Sequence, residues 1–174
     1  LENNEDFLIS SLMKNTIIKK GLLHTPDPNK ALIHVRRTDF VKNGWDLKSD
    51  YFKKSIDTFK KLKPKIRFDV FTDDEHWVAN NSCFDMAENI YPQINTPGEN
   101  SSKLMIRNQN QETIETFSNM LNYENYIVGN SSFAFWAAYL KSTKTSLVSV
   151  PNPWFRNHEH PILKKDNWLI IETD

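Results

Sequence analysis

The stretch ALIHVRRTDF, residues 31–40, decides the fold of this chain. Its first six residues form a short, mostly apolar run, which predicts a buried β-strand. The polar residues Arg37, Thr38 and Asp39 follow where that strand ends. In α/β sheets, ligands bind outside the carboxyl ends of the strands, so this stretch predicts both a sheet and the place of a site.

Further strands and helices alternate along the rest of the chain. We predict strands at residues 67–72, 89–94, 126–128 and 146–150, and a packed segment of unassigned type at 168–171. We predict helices at residues 6–20 with Gly21 as a stop, at 52–62 before Pro64, at 73–78, from Gln111 and at 133–140, and a loop at 97–102. Strands that alternate with helices of this length imply βαβ units. We therefore expect an α/β, Rossmann-like fold with a mostly parallel sheet flanked by helices.

The composition limits the classes of protein to which the chain can belong. Its 174 residues make one domain, and 39% of them are hydrophobic, enough to form a core. The 22 basic and 22 acidic residues balance, which argues against a nucleic-acid partner and against an anionic membrane surface. The longest apolar stretch, residues 133–140, is too short to span a bilayer. Cys83 is the only cysteine, so no intrachain disulfide can form.

Two adjacent arginines stand out in a chain that otherwise uses lysine as its cation. The chain has 17 lysines and 5 arginines, and two of the arginines are Arg36 and Arg37. Arginine binds carboxylate or phosphate with a planar fork that lysine lacks. Because side chains alternate along a strand, Arg36 shares a face with His34, whereas Arg37 points the other way. We interpret the pair as a phosphate site oriented by Asp39, and the alternative is an ion pair that only holds a loop.

Two more polar clusters follow predicted strands and fall on the same edge of the sheet. The cluster GNSS, residues 129–132, offers backbone N–H groups and hydroxyls at the start of a helix, which suits an anion. Asp73 follows the strand at 67–72 and has the chemistry to hold a ribose hydroxyl or a base edge. The alternatives are ordinary helix caps and compensation of the helix dipole. The coincidence of three clusters on one edge favours a binding site.

Common motifs for phosphate and metal binding are absent from the sequence. The chain has no G-x-G-x-x-G and no G-x-x-x-x-G-K-[ST], and its four glycines leave no other cradle for a pyrophosphate. It also has no D-x-D that would hold a cation against a nucleotide diphosphate. His158 and His160 lack a placed third ligand, so we interpret them as part of a surface loop. We therefore expect no metal and no cofactor, with a bound phosphate neutralised by arginine and helix dipoles.

Four motifs resemble those of a known enzyme family. Residues 34–39 (HVRRTD) resemble the H-x-R-R-x-D motif of fucosyltransferases that use GDP-fucose. Residues 71–78 (FTDDEHWV) resemble the F-S-D-D-x-x-W segment of the alpha-1,2-fucosyltransferase family, glycosyltransferase family eleven. Residues 130–140 (NSSFAFWAAYL) resemble its N-S-S-F-S-W-W-G-A-W-L block, and residues 153–155 and 163–170 resemble its closing W-F and I-P-x-x-W-I elements. The motifs run in family order from the first strand to the end of the chain.

The resemblance implies the C-terminal half of a GT-B-type glycosyltransferase. Residues 31–174 would form a GDP-fucose-binding domain, and residues 1–30 an N-terminal helix and linker. Such enzymes transfer fucose from GDP-fucose to a galactose-type hydroxyl of a glycan, with inversion and without a metal. An acceptor-side domain precedes the H-x-R-R motif in the family, so we expect it to be missing here. We expect the chain to bind its donor rather than to turn it over alone, in the cytoplasm or at the inner membrane of a bacterium.

The resemblance also implies roles for residues around the first strand. Arg36 and Arg37 would bind the diphosphate and stabilise the departing GDP, which is the charge that such a site must stabilise. Asp39 would brace the two arginines, and His34 would lie near the guanosine. Asp46, in the loop after the arginines, is a candidate catalytic base on its position alone.

Residues farther along the chain would complete the donor site. Asn130, Ser131 and Ser132 would form a phosphate cradle, and Asp73 would face the nucleoside. The alternative to a transferase is a non-catalytic module that binds a nucleotide or a sugar. A transfer assay with a galactose-containing acceptor distinguishes the two hypotheses.

Overall fold

The computed structural model places six strands in one sheet, in the order β3-β2-β1-β4-β5-β6. The strands are β1 (Lys30–Val35), β2 (Arg67–Thr72), β3 (Ala87–Pro92), β4 (Asn125–Ile127), β5 (Val148–Asn152) and β6 (Leu169–Glu172). The structure describes residues 2–93, 103–155 and 164–173. All strand pairings within these ranges are parallel, which confirms the predicted Rossmann-like α/β fold.

Helices cover both faces of the sheet, as parallel sheets require. They are α1 (Glu2–Leu12), α2 (Thr16–Leu23), α3 (Thr38–Lys42), α4 (Ser49–Leu62), α5 (Glu75–Ala79), α6 (Lys103–Met120) and α7 (Ser132–Lys141). One face packs against α2, α6 and α7 through a core that includes Leu32 and Phe135. The other face packs against α4 and α5 through a core that includes Ile33 and Phe59. Within the described ranges, none of the helices has the length and apolar character needed to cross a membrane.

Strand β1 lies in the middle of the sheet, between β2 and β4. Every residue from Ala31 to Val35 is buried, because helices cover both faces of this strand. A continuous apolar run therefore fits β1, and His34 is its polar exception at the end of the strand. The strand order changes direction between β1 and β4, and this switch point is where ligands bind in open α/β sheets.

The prediction that Gly21 ends a single N-terminal helix is wrong. The segment forms two helices, and Asn15 caps the second by accepting hydrogen bonds from the backbone N–H groups of Ile17 and Ile18. Gly21 lies inside α2 and faces α6, where an added Cβ would lie 2.6 Å from the carbonyl oxygen of Ser118. The glycine is needed for the close approach of two helices rather than for a helix end.

Other differences from the sequence prediction are small. Helix α6 begins at Lys103, eight residues before the predicted start, and the unassigned segment at 168–171 forms the edge strand β6. A short helix, α3, starts directly after the arginine pair and was not predicted. The predicted loop at 97–102 and the pair His158 and His160 lie outside the described residues.

Candidate functional site

A cavity of about 710 Å³ opens at the carboxyl ends of β1 and β4, a volume typical of sites for small ligands. The strand-end clusters of the sequence contribute five of its lining residues, namely His34, Arg36, Asn130, Ser131 and Ser132. The cavity therefore lies at the switch point of the sheet and brings together clusters that are about 95 residues apart in the sequence.

Arg36 is the member of the arginine pair that lines the cavity. Its guanidinium nitrogens lie 2.8 Å from an Asp39 oxygen and 3.1 Å from an Asp73 oxygen. These two carboxylates hold the side chain, about a quarter of which is exposed. A guanidinium carries five N–H donors, so two carboxylate contacts leave donors for an anion in the cavity.

Arg37 turns to the other side of the strand end, as the alternation of side chains predicts. Its guanidinium lies 3.1 Å from Asp46 and 3.2 Å from Asp74, and its Cζ lies 4.0 Å from the centre of the Trp77 ring. Two carboxylates and an aromatic face therefore surround this side chain, which is outside the cavity lining. These contacts connect the Arg37 side chain to the loop at Asp46 and to the start of α5 rather than to the cavity.

Asp73 holds the backbone of the arginine turn. Its fully buried carboxylate accepts hydrogen bonds from the backbone N–H of Arg37 at 2.7 Å and of Thr38 at 3.3 Å. It also accepts one from the Thr38 hydroxyl at 2.6 Å, in addition to its ion pair with Arg36. The resemblance assigns Asp73 to the nucleoside, whereas the structure directs its carboxylate to the arginine turn. The neighbouring Asp74 caps α5, the ordinary role that the sequence left open.

Asp46, the candidate base, is buried and paired with two cations. Its carboxylate lies 3.1 Å from Arg37 and 2.9 Å from Lys48. Burial opposes ionisation of this group, but the hydrogen bonds and charges of Lys48 and Arg37 outweigh it and lower the pKa of Asp46. A base with a lowered pKa accepts a proton poorly, and Asp46 is outside the cavity lining. Its geometry favours a role in holding Arg37.

His34 forms a buried wall of the cavity. Its side chain is 1% exposed, and its Nε2 is hydrogen-bonded to Oε1 of Gln93 at 3.1 Å. Burial lowers the pKa of His34 to about 4, so the imidazole is neutral near pH 7. Its Nδ1 has no hydrogen-bond partner within the described part of the chain. At Gly129 an added Cβ would lie 2.6 Å from the carbonyl oxygen of His34, so only glycine fits there.

The start of α7 offers backbone donors to the cavity. Ser131 precedes the helix, and its side chain makes no capping hydrogen bond to the first turn, all of which is described. Asn130 is buried and donates a hydrogen bond to the Trp45 carbonyl, which fixes the loop before the helix. The first N–H groups of a helix lack partners inside the helix and carry a positive partial charge. Ser131 and Ser132 line the cavity at this point, where an anion would be favoured.

Two sets of cavity residues were missed by sequence reasoning. One set is polar and comprises Gln93 with five residues of α6, namely Glu112, Thr113, Glu115, Thr116 and Asn119. The other set is aromatic: Phe133, Trp154 and Phe155 lie in motifs that carry the resemblance but were given no role in the site, and Phe40 was not singled out. Phe40 belongs to the stretch that decides the fold and follows Asp39, so its position was a usable signal. Gln93 follows an edge strand and carried no signal in the sequence.

Comparison with known proteins gives one family and two relatives. The model of the family described as glycosyl transferase family 11 matches residues 11–172. The chain is 27% identical over 174 residues to the O-antigen biosynthesis glycosyltransferase WbnK of Escherichia coli. This match covers 97% of the chain and 52% of the relative. It is 29% identical over 154 residues to an alpha-1,2-colitosyltransferase of Escherichia coli. This match covers 83% of the chain and 48% of the relative. The chain thus spans about half the length of these relatives, and no solved structure matches it.

Proposed function

Since the chain belongs to glycosyl transferase family 11, we propose that it binds the donor of a glycosyl transfer reaction. The proposed donor is GDP-fucose, and the proposed acceptor is a galactose-type hydroxyl of a glycan. The observation that carries the proposal is the cavity at the switch point, where Arg36 and the start of α7 converge. Both offer N–H donors and positive charge, which suit a diphosphate.

Negative charge grows on the leaving diphosphate when the bond between sugar and phosphate breaks. In this proposal Arg36 stabilises that charge, and the first N–H groups of α7 do the same from the other element. Asp39 and Asp73 hold the Arg36 guanidinium in place before the reaction. A donor group that is already oriented requires little reorganisation at the moment of bond breaking, and this is the main source of its catalytic effect.

The proposed nucleoside position is next to His34 and Gln93. The neutral imidazole and the carboxamide offer hydrogen-bonding groups at the wall of the cavity. A neutral histidine adds no positive charge beside Arg36, so it suits a base or ribose edge better than a phosphate. The proposal uses no metal, since the sequence has no D-x-D to hold a cation against the diphosphate.

A calorimetric titration of the 174-residue chain with GDP tests the proposal. We expect saturable heat with GDP and weaker binding of UDP, which carries the same diphosphate on a smaller base. Circular dichroism at the same concentration establishes that the chain is folded. The absence of heat at millimolar GDP with a folded chain would overturn the proposal.

A donor-binding module without turnover is the second candidate function. The half-length match to the curated relatives favours it, because an acceptor site can require residues outside this chain. Incubation of the chain with GDP-fucose and lactose separates the two candidates by chromatography of the products. Fucosylated lactose supports a complete transferase, whereas bound donor without this product supports the module.

A further inference from the structure

Three aromatic rings form a continuous surface beside Arg36, which we call the aromatic wall: Phe40, Trp45 and Phe155. The ring centres of Phe40 lie 5.8 Å from Trp45 and 6.1 Å from Phe155, and Trp45 lies 5.2 Å from Phe155. All three side chains are half-buried, and Phe40 and Phe155 line the cavity. The Cζ of Arg36 lies 5.8 Å from the centre of the Phe40 ring. A group bound to Arg36 therefore has an aromatic surface as its neighbour.

The topology of the sheet places Gln93 and Phe155, a member of the aromatic wall, on opposite sides of Arg36. Along the carboxyl edge, Gln93 follows β3 at one end of the strand order, Arg36 follows β1, and Phe155 follows β5 toward the other end. A nucleotide sugar whose diphosphate lies at Arg36 can therefore extend toward Gln93 in one direction and toward Phe155 of the aromatic wall in the other.

We infer that the aromatic wall binds the sugar ring of the donor and selects a 6-deoxy sugar. This inference rests on the proposed function, because it needs the diphosphate at Arg36. The phenyl rings of Phe40 and Phe155 offer no hydrogen-bond donor or acceptor, so they suit the C–H face of a sugar and its C6 methyl group. The polar edge of a nucleobase needs hydrogen-bond partners, and Gln93 and His34 on the other side supply them.

Substitution of the wall phenylalanines separates the sugar from the nucleotide. Phe40→Leu and Phe155→Leu keep an apolar side chain and remove the ring. We expect each variant to bind GDP within about twofold of the wild type and GDP-fucose about fivefold more weakly, because one ring contact is lost. Phe7→Leu, at an exposed ring on α1, is the matched control and should change neither affinity. An equal loss of GDP and GDP-fucose would place the base on the wall and overturn the inference.

A second ligand tests the 6-deoxy preference with the unmodified chain. GDP-L-galactose differs from GDP-fucose only by a hydroxyl on C6. Against the phenyl rings this hydroxyl would lack a partner, so we expect GDP-fucose to bind about tenfold more tightly. Equal affinities of the two donors would overturn the assignment of the C6 methyl group to the wall.

The two proposals fail in different ways in the same titrations. If the wild-type chain is folded and does not bind GDP, the proposed function is wrong and the inference falls with it. The inference alone is wrong under three results together: the wild-type chain binds GDP and GDP-fucose, the wall variants bind both ligands like the wild type, and GDP-L-galactose binds as tightly as GDP-fucose.

Discussion

Buried polar groups at the amino ends of the strands differ from those at the carboxyl ends in how many hydrogen-bond partners the chain supplies. We call these two sides of the sheet the amino edge and the carboxyl edge. At the amino edge, Asn125 at the start of β4 donates to the carbonyls of Pro28 and Lys30 and accepts from Lys63 and Leu147. All four of its hydrogen-bonding positions are filled by the chain itself. At the carboxyl edge, the Nδ1 of His34 has no partner in the described ranges, and the Ser131 side chain leaves the helix start uncapped.

The two edges also differ in the number of partners that the chain supplies to a buried polar group. A second closed network lies on β2, where buried Asp69 binds Lys30, Tyr123 and Asn89. Asp69 is as buried as His34, but the chain supplies three polar partners to Asp69 and one hydrogen-bond partner to His34. Burial alone therefore does not mark the site. An unpartnered polar atom does not mark it either, because the buried Ser55 and Ser149 hydroxyls also lack partners in the described ranges and lie outside the cavity lining.

Removal of the amino-edge carboxamide should have the largest effect. Asn125→Ala leaves the backbone groups of Pro28, Lys30 and Leu147 without their buried partner. We expect the free energy of unfolding to fall by about 3 kcal/mol, measured by urea denaturation. Asn80→Ala, at an exposed position, is the matched control and should cost less than about 1 kcal/mol. A loss below that value for Asn125→Ala would contradict the contrast between the edges.

The carboxyl edge should respond to Arg36→Lys in affinity rather than in stability. A lysine keeps the charge and loses the fork, so we expect GDP to bind about 30-fold more weakly. Calorimetric titration measures the affinity, and urea denaturation should show little change in stability.

Arg67→Lys is the matched control for this substitution. Arg67 begins β2 at the amino edge and pairs with Asp27 and Glu88, far from the cavity along the strand. It should leave GDP affinity unchanged. If Arg36→Lys also binds GDP like the wild type, the arginine does not hold the diphosphate.

Asp73→Asn tests whether the arginine turn must be held for the site to work. Asparagine keeps the size of the side chain but removes the charge that pairs with Arg36 and accepts from the turn. We expect GDP affinity to fall about tenfold, less than for Arg36→Lys, because the arginine itself remains. Asp85→Asn, at an exposed position outside the cavity lining, is the control. Unchanged affinity in Asp73→Asn would show that the turn holds its shape without this carboxylate.

The strands and the edge that carries the site were predictable from the sequence, because both depend on local patterns. Short, largely apolar runs of three to six residues that alternate with helical patterns predicted the strands, and the strand-end clusters then fell on one edge. Gly21 misled the prediction because a glycine within a helix and a glycine after a helix look alike in sequence. Its contact with Ser118 is a property of the packed helices.

The different surroundings of Arg36 and Arg37 were only partly predictable from the sequence. Alternation along the strand separated Arg36 from Arg37, but it did not show that Asp46, Asp74 and Trp77 surround Arg37. Those partners come from two other segments of the chain, the loop before α4 and the start of α5. Contacts between segments distant in sequence depend on the packed fold, so the polar lining from α6 and the aromatic wall were also missed.

The smallest predicted effect is the pH dependence of stability that arises from His34 at the carboxyl edge. The pKa of His34 is lowered to about 4 in the folded chain, below the ordinary value of 6.5, so the unfolded chain binds more protons between these values. Stability is then complete above pH 6.5 and falls as the pH drops toward 4. We expect the free energy of unfolding to fall by about 1 kcal/mol between pH 7 and pH 5.5, and less in His34→Gln. His76→Gln, at an exposed position, is the control. If the free energy of unfolding of His34→Gln falls with pH as steeply as that of the wild type, the pH dependence arises from other groups.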